Sequence, residues 1–133
     1  MEQSYLYKDE SYEIIGAALE VHKLLGCGFS EPIYQIAFER ELNLRGIPFI
    51  REKTYPVTYK DIVIKNFRVD FECYGKIVVE LKAVEELEDM YFIQTYNYLK
   101  ASGHKLALLI NFGKPLLEKK RLIRKELWDV KNK

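Results

Sequence analysis

The sequence predicts a single α/β domain, residues 1–133, in which helices cover a β-sheet. Three patterns support this fold class. Apolar residues recur with helical spacing in the first third of the chain, alternate with polar residues in the middle, and form an unbroken run from Leu106 to Ile110. A continuous apolar run of this kind is typical of a central strand that is covered on both faces.

Two helices are predicted at the N-terminal end. The first runs from about Asp9 to Leu25, where Gly26 suits a left-handed helix end. The second begins after Ser30 and ends near Arg45. Its predicted buried residues are Ile33, Ile36, Ala37 and either Phe38 or Leu42.

Strand-like alternation begins at Phe49, where the apolar period changes to two. A buried strand is predicted from Lys76 to Ala83, after a short turn at Tyr74-Gly75-Lys76. The two earlier strands are expected to turn their apolar residues to one face each. These residues are Tyr55, Val57 and Tyr59 in the first strand, and Phe67, Val69 and Phe71 in the second.

The C-terminal third contains a helix, a strand and a basic tail. Acidic residues 85–89 favour the start of a third helix, because negative charge stabilises a helix N-terminus. This helix is expected to end near Gly103 and to carry Met90, Ile93 and either Tyr96 or Asn97 on its apolar side. After the strand at Leu106–Ile110, the tail at 114–133 is rich in Lys and Arg. Its segment 121–127 fits a strand or a short helix equally well.

The composition fits one globular domain and excludes several function classes. The chain is 48% hydrophobic with a net charge of +1, so it can build one core, and no general charge excess indicates a polyanionic partner. Cys27 and Cys73 lack the spacing of a metal site or disulfide scaffold, and we expect both to be reduced. No stretch approaches the roughly 18 apolar residues of a membrane span, and the N-terminus is polar. We therefore expect a cytoplasmic protein with no membrane partner.

Two carboxylates are predicted to meet across the turn at 74–76. If the hairpin has a three-residue loop, paired residue numbers sum to 150, and Asp70 lies opposite Glu80. Directly opposed residues have Cβ atoms roughly 4.5–5.5 Å apart, a distance at which two carboxylates repel unless a cation shares the site. Lys82, on the same face as Glu80, supplies one positive charge, and Mg²⁺ prefers carboxylate ligands.

A solvated strand also often carries an acid and a lysine two residues apart. The surroundings of Glu80 and Lys82 favour a functional reading, because both lie in an otherwise apolar strand. A buried carboxylate is costly unless it is paired or bound to a metal. The histidines, His22 and His104, have no ligand partner at suggestive spacing, and we expect both to be structural or solvated.

A family resemblance follows from several motifs in order along residues 9–115. Gly28-Phe29-Ser30-Glu31-Pro32-Ile33-Tyr34 resembles the signature of the GxxExxY proteins, a branch of the PD-(D/E)XK nuclease superfamily. The further matching segments are Arg45-Gly46-Ile47, Phe67-Arg68-Val69-Asp70, Val79-Glu80-Leu81-Lys82-Ala83-Val84, Asn97-Tyr98-Leu99-Lys100 and Leu109-Ile110-Asn111-Phe112-Gly113. The resemblance implies a restriction-endonuclease-like mixed sheet flanked by helices, with core order αβββαβ and an additional N-terminal helix.

The resemblance also implies roles for individual residues. Asp70 corresponds to the metal-binding aspartate, Glu80 to the acid of the second motif and Lys82 to its lysine. Glu31 corresponds to a helical glutamate that joins the metal site, although a first-turn acid favoured by the helix dipole explains it equally well. The backbone carbonyl of Leu81 would supply a further metal ligand. Val69 departs from the pattern, because it stands where the superfamily name has proline.

The candidate substrate-binding residues are Gln94, Tyr98 and Arg68. Gln94 and Tyr98 match a Gln-x-x-x-Tyr pattern of some branches, and their spacing places them on one helix face. Tyr34, by contrast, is expected to pack in the core.

The function implied is a Mg²⁺-dependent nuclease, with Mn²⁺ as a possible substitute, acting on nucleic acid and on DNA rather than RNA. A nuclease of this size that cuts duplex would plausibly act as a homodimer. The alternative is a catalytically silent binding or assembly module of the same fold, since the acidic residues 85–89 would repel a phosphate backbone if they faced the site. A small-molecule enzyme ranks last, because the chain lacks a Walker loop, a dinucleotide fingerprint and a nucleophile elbow.

Overall fold

A five-stranded mixed sheet with helices on both faces forms the body of the domain in the computed structural model, which describes residues 6–125. The helices are α1 (Lys8–Leu25), α2 (Glu31–Leu44) and α3 (Asp89–Ser102). The strands are β1 (Phe49–Arg51), β2 (Thr54–Tyr59), β3 (Ile62–Arg68), β4 (Phe71–Cys73), β5 (Ile77–Lys82), β6 (Leu106–Asn111) and β7 (Glu118–Ile123). The α/β fold class predicted from the sequence is confirmed.

The strand order of the main sheet is β1-β4-β5-β6-β7. Only β5 and β6 run parallel, and α3 provides the crossover that a parallel pair requires. Strands β2 and β3 form a separate two-stranded ribbon. Within residues 6–125, no helix is both long and apolar enough to cross a lipid bilayer.

Two apolar layers hold the helices against the sheet. On one face α1 and α2 cover the larger core, in which the Phe38 and Phe71 rings meet edge to face at 5.1 Å. On the other face Leu99 of α3 packs with Val78 and Ala107 of the central strands. Strand β6 is buried along its whole length between these layers, as its apolar run predicts.

The register of the β4–β5 hairpin confirms the predicted pairing. Phe71 pairs with Val79 and Cys73 with Ile77, so paired residue numbers sum to 150. The side chains of β5 alternate between the two layers, since Val79 and Leu81 contact the α1–α2 core while Val78 contacts the α3 core.

The prediction that Phe67, Val69 and Phe71 share one face of a single strand is wrong. The segment is two strands, and Val69 packs in the α3 core while Phe71 packs in the α1–α2 core. The alternation breaks because the chain changes partners between β3 and β4. At this point Val69 N donates to Lys53 O at 2.9 Å.

The predicted buried faces of α2 and α3 are also wrong in part. Ile33 and Ile36 of α2 are exposed, Ile36 to 62%. The predicted alternatives Phe38 and Leu42 are both buried, and the expected core position of Tyr34 is confirmed. The helix buries the face that carries Tyr34 because the Tyr34 hydroxyl donates to Gly26 O at 2.6 Å and the Tyr34 ring stacks on Phe112 at 4.7 Å. In α3, Met90 and Ile93 are exposed, whereas Thr95, Tyr98 and Leu99 are buried.

The ends of α1 and α3 lie where the sequence predicts, but Gly26 does not adopt the left-handed helical conformation expected of it, since its φ is 71° and its ψ is −169°. Gly103 ends α3 in the left-handed conformation, with φ 78°. The strand alternative for the tail is the one observed, since residues 121–123 belong to β7. Residues 124 and 125 follow the strand without regular structure, and residues 126–133, which include the last two of the predicted segment, lie outside the described residues.

A buried glutamate fastens the β2–β3 ribbon to the main sheet. Glu72 of β4 accepts a hydrogen bond from the Tyr55 hydroxyl of β2, and its Oε2 lies 2.8 Å from His104 Nε2. Burial raises the pKa of Glu72, but the hydrogen bonds from His104 and Tyr55 outweigh it, so the pKa lies below its ordinary 4.5. The charged form of Glu72 is therefore the form that stabilises this junction.

Glu72→Gln should lower the free energy of unfolding by about 1–3 kcal/mol at pH 7, because the charged acceptor of two buried hydrogen bonds is lost. A carboxylate whose folded pKa is depressed stabilises above its unfolded pKa, and this contribution disappears as the pH falls through the folded value. The difference from wild type should therefore shrink below pH 4.5. Urea unfolding across this pH range measures it, with exposed Glu13→Gln as control. A pH-independent difference would contradict the assignment.

Candidate active site

Asp70 directly precedes β4, and it meets Glu80 where β5 extends beyond its pairing with β4. Strand β4 pairs with β5 only as far as Val79, so the next part of β5 has no strand neighbour on that edge. Side chains take the place of the missing strand. Asp70 Oδ2 accepts a hydrogen bond from Leu81 N at 2.8 Å, and Glu80 Oε2 accepts one from Asp70 N at 2.6 Å.

The carbonyl of Leu81 faces the same edge as these carboxylates. In a β-strand the N–H and C=O of one residue point to the same side, and successive residues alternate. Leu81 N donates to Asp70, while Lys82 O accepts from Phe112 N at 2.8 Å on the opposite, β6 side. Two carboxylates and one backbone carbonyl therefore border one place at the end of β4.

The pKa values of both acids lie above their ordinary values, chiefly because the carboxyl groups are buried. Burial raises the pKa of Asp70 to about 6, and the charge of Glu31 adds to the rise. Burial also raises the pKa of Glu80, which is 3% exposed, well above its ordinary value, and the nearby charge of Asp70 raises it further. The positive charge of Lys82 opposes both shifts.

Lys82 and Glu31 lie at the margins of the carboxylate pair. Lys82 is half-buried, and its Nζ lies 4.8 Å from the centroid of the Tyr91 ring. Glu31 is the first residue of α2, and its Oε2 accepts a hydrogen bond from Gln35 Nε2 at 3.1 Å. Within residues 6–125, no three His, Cys, Asp or Glu side chains come together closely enough to hold a metal ion. Glu31 thus acts on the pair through its charge.

The candidate substrate-binding residues border the same side of the sheet but differ in how exposed they are. Tyr98 is buried, packs its ring on Phe67 at 5.7 Å, and has a pKa raised to about 12, first by burial and then by the charge of Glu80. Gln94, one turn earlier on α3, is exposed. Arg68 is also exposed, at the end of β3, and its charge lowers the pKa of Tyr98.

Arg51 at the end of β1 was missed by sequence reasoning. Its Nη1 donates to Glu39 at 2.7 Å and its Nη2 to Gln35 Oε1 at 3.3 Å, so it is joined through Gln35 to Glu31. Its charge lowers the pKa of Asp70. No local motif marks Arg51, because the β1–β4 pairing that brings it beside Asp70 joins segments about twenty residues apart.

A comparison with protein families finds a match to the PD-(D/E)XK nuclease superfamily over residues 8–125. The chain belongs to this superfamily. The finer assignment to the GxxExxY branch stays a prediction. No match is found among curated protein sequences.

Two solved structures share the superfamily fold of this chain at low sequence identity. An alkaline exonuclease (LHK-Exo) from Laribacter hongkongensis is 11% identical with a TM-score of 0.51, covering 70% of this chain and 55% of the exonuclease. The protein SSO0001 is 14% identical with a TM-score of 0.55, covering 74% of this chain and 52% of its own. The chain thus matches about half the length of each structure, and the likeness shows the fold.

The site residues fit the divalent metal ions that nucleases of this superfamily generally use. Asp70, Glu80 and the Leu81 carbonyl offer hard oxygen donors of the kind that Mg²⁺ binds. Burial raises the pKa of both acids, which makes their charged forms costly. A bound cation would lower this cost.

Asp70→Asn should stabilise the metal-free protein at pH 8 by about 1–2 kcal/mol. The folded pKa of about 6 lies above the ordinary 3.8, so wild-type stability falls as the pH rises through this interval. Asparagine removes the charge and keeps an acceptor for Leu81 N. Thermal unfolding in EDTA at several pH values tests this, with exposed Asp61→Asn as control. A loss of stability at pH 8 would contradict the electrostatic account.

Arg51→Gln should raise the pKa of Asp70 above its wild-type value, because an opposing positive charge is removed. The titration of the Asp70 carboxyl carbon by NMR measures this in the metal-free protein. Arg45→Gln is a matched control, since Arg45 forms its ion pair with Glu41 on α2. An Asp70 titration identical in both variants would exclude the proposed coupling.

Proposed function

We propose that this chain is a metal-dependent nuclease of the GxxExxY branch that hydrolyses phosphodiester bonds, with DNA favoured over RNA. The observation that carries the proposal is the pair of carboxylates at an unpaired strand edge, where Glu80 accepts from Asp70 N and Asp70 accepts from Leu81 N, within a chain of the PD-(D/E)XK nuclease superfamily. The arrangement keeps two acids together in a buried place, where they are costly unless a cation joins them.

The metal ligands would be Asp70, Glu80 and the Leu81 carbonyl, with Glu31 as a further acid from α2. When bound, Mg²⁺, or Mn²⁺ in its place, would lower the pKa of a water molecule and polarise the phosphate. Gln35 holds Glu31 at the start of α2. The side chain of Gln35 also accepts a hydrogen bond from Arg51, so Gln35 links Glu31 to Arg51.

Lys82 would provide the catalytic cation. It lies two residues after Glu80 on the same face of β5, with its ammonium over the Tyr91 ring, and from there it would donate to a phosphate oxygen or to the attacking water. Tyr98 would present its hydroxyl in the protonated form at neutral pH, as its raised pKa requires. Arg68 and Gln94, both exposed, would contact the phosphate backbone.

A catalytically silent binding or assembly module is the second candidate. One observation favours it: among residues 6–125, only two acids meet directly, without the third that would complete a cluster. The acidic segment after β5 is weaker support for this candidate, because Glu86 forms an ion pair with Lys114, whose ammonium lies 3.6 Å away. Homodimerisation and a cytoplasmic location stay predictions from the sequence.

Cleavage of DNA and RNA by the purified protein with Mg²⁺ or Mn²⁺ tests the proposal directly. Asp70→Asn and Lys82→Ala should each lower the rate by about 100-fold or more, because each removes a group that stabilises charge in the transition state. Lys100→Ala, an exposed lysine on α3, should leave the rate unchanged. Cleavage that survives both site substitutions would exclude this site.

Metal binding can be measured without activity. Mn²⁺ at 100 times its dissociation constant should stabilise the wild-type protein by about 2.7 kcal/mol if only the folded state binds it. Asp70→Asn should abolish this gain. An equal gain in both proteins would place the metal elsewhere.

A further inference from the structure

We propose that the β2–β3 ribbon, Thr54–Arg68, is an arm that binds a duplex nucleic acid in its major groove beside the carboxylate pair. The inference rests on the proposed function for its substrate class and assigns the binding to a part of the chain in which only Arg68 has so far been given a role. Four features of the ribbon support it: its attachment, its exposure, its charge and its width.

The ribbon is attached at the candidate active site. Glu52 N donates to Asp70 O at 2.8 Å, and Val69 N donates to Lys53 O at 2.9 Å, so both strands leave the sheet beside Asp70. The Tyr55–Glu72 hydrogen bond fixes the base of the ribbon. A polymer bound along the ribbon would therefore pass next to Asp70 and Glu80.

The outer half of the ribbon has no cover in the described chain. Every residue of β3 except Phe67 is exposed, and the large apolar side chains near the turn are exposed by half or more. These side chains are Tyr59, Ile62, Val63 and Ile64. Contiguous exposed apolar surface on a projecting element usually marks a contact with another molecule.

The charge of the ribbon favours a polyanion over a second copy of the chain. Residues 52–68 contain four cations, Lys53, Lys60, Lys65 and Arg68, against Glu52 and Asp61, a net charge of +2. The whole chain carries only +1. Two copies of the ribbon would repel each other, whereas phosphate groups are attracted.

Three of these cations are held against aromatic rings of the ribbon itself. The distances from Nζ to the ring centroid are 6.0 Å for Lys53 and Tyr55, 5.3 Å for Lys60 and Tyr59, and 5.4 Å for Lys65 and Phe67. Such contacts restrict the lysine side chains. The ammonium groups are thus distributed along the ribbon from its base to its turn.

The shape of the ribbon fits a groove of duplex DNA. Its two strands lie about 5 Å apart and run for about 20 Å. The major groove of B-DNA, about 12 Å wide, admits a two-stranded ribbon. In this arrangement the lysines face phosphates at the groove margins, and the apolar turn region contacts base edges and sugars.

Binding to a fluorescent DNA duplex tests the inference, with Asp70→Asn as the common background so that cleavage does not interfere. Lys60→Asn/Lys65→Gln removes two exposed charges, and asparagine tolerates the positive φ of 46° at position 60. Lys23→Gln/Arg40→Gln, both exposed on the helices, is the control. The slope of log K against log salt is negative, and each lost phosphate contact should make it less steep by about 0.9. The ribbon variant should lose about two such contacts, and a slope equal to that of the control would overturn the inference.

The apolar turn region has its own test. Ile62→Ser/Ile64→Ser should weaken duplex binding about tenfold, the effect of roughly 1.4 kcal/mol, with the salt slope unchanged. Unchanged binding, together with the loss of a dimer in analytical ultracentrifugation, would show that a second copy occupies the ribbon and would overturn the inference. Tighter binding to a single strand than to the duplex would overturn it as well.

Failure of the ribbon and failure of the nuclease proposal are separable. If wild-type protein cleaves DNA while the ribbon variants bind like the control, the nuclease proposal stands and the ribbon has another role. If wild-type protein cleaves nothing while the Asp70→Asn background binds duplex through the ribbon, the inference about the ribbon is supported and the nuclease proposal is rejected. Absence of duplex binding overturns the arm.

Discussion

Two side-chain to backbone hydrogen bonds, from Asp70 N to Glu80 and from Leu81 N to Asp70, are the constraint on which the rest of the site depends. Strand β4 is only three residues long, so Leu81 N would be left without a partner on that edge of β5. Asp70 supplies the acceptor, and Glu80 in turn accepts from Asp70 N. The same two bonds that satisfy buried donors therefore hold two carboxylates beside each other. Backbone hydrogen bonding and the geometry of the site cannot be separated here.

This arrangement costs stability in the metal-free protein. Burial raises the pKa of both acids, so their charged forms are costly in the metal-free protein. The surrounding cations lower the cost only in part, since Lys82 lies over Tyr91 and Arg51 forms hydrogen bonds with Glu39 and Gln35. The remainder of the fold must supply the stability that the site withdraws. The α1–α2 layer is suited to this, because its core is almost entirely apolar.

The two faces of the sheet consequently differ in chemistry. The face under α1 and α2 is an aromatic and aliphatic core. The face under α3 carries an acid that fastens the ribbon, Glu72, and lies beside Tyr98, whose pKa responds to the carboxylate pair. The short strand β4 connects both arrangements, since Glu72 belongs to it and Asp70 directly precedes it. The residue that attaches the ribbon and one of the two paired carboxylates therefore lie within the three-residue segment 70–72.

The sequence alone determined the layered fold, the hairpin register and the meeting of Asp70 with Glu80, because these depend on local periodicity and on a three-residue turn. It also placed the helix ends, which glycine and the acidic turn specify locally. Only the tertiary structure decided which helix face is buried, because α2 offers two apolar faces and the stacking of Tyr34 on Phe112 selects one. It also decided the break at Val69, the junction at Glu72 and the position of Arg51. Each of these features results from contacts between segments that are distant in sequence. The periodicity within a single strand or helix carries no information about such contacts.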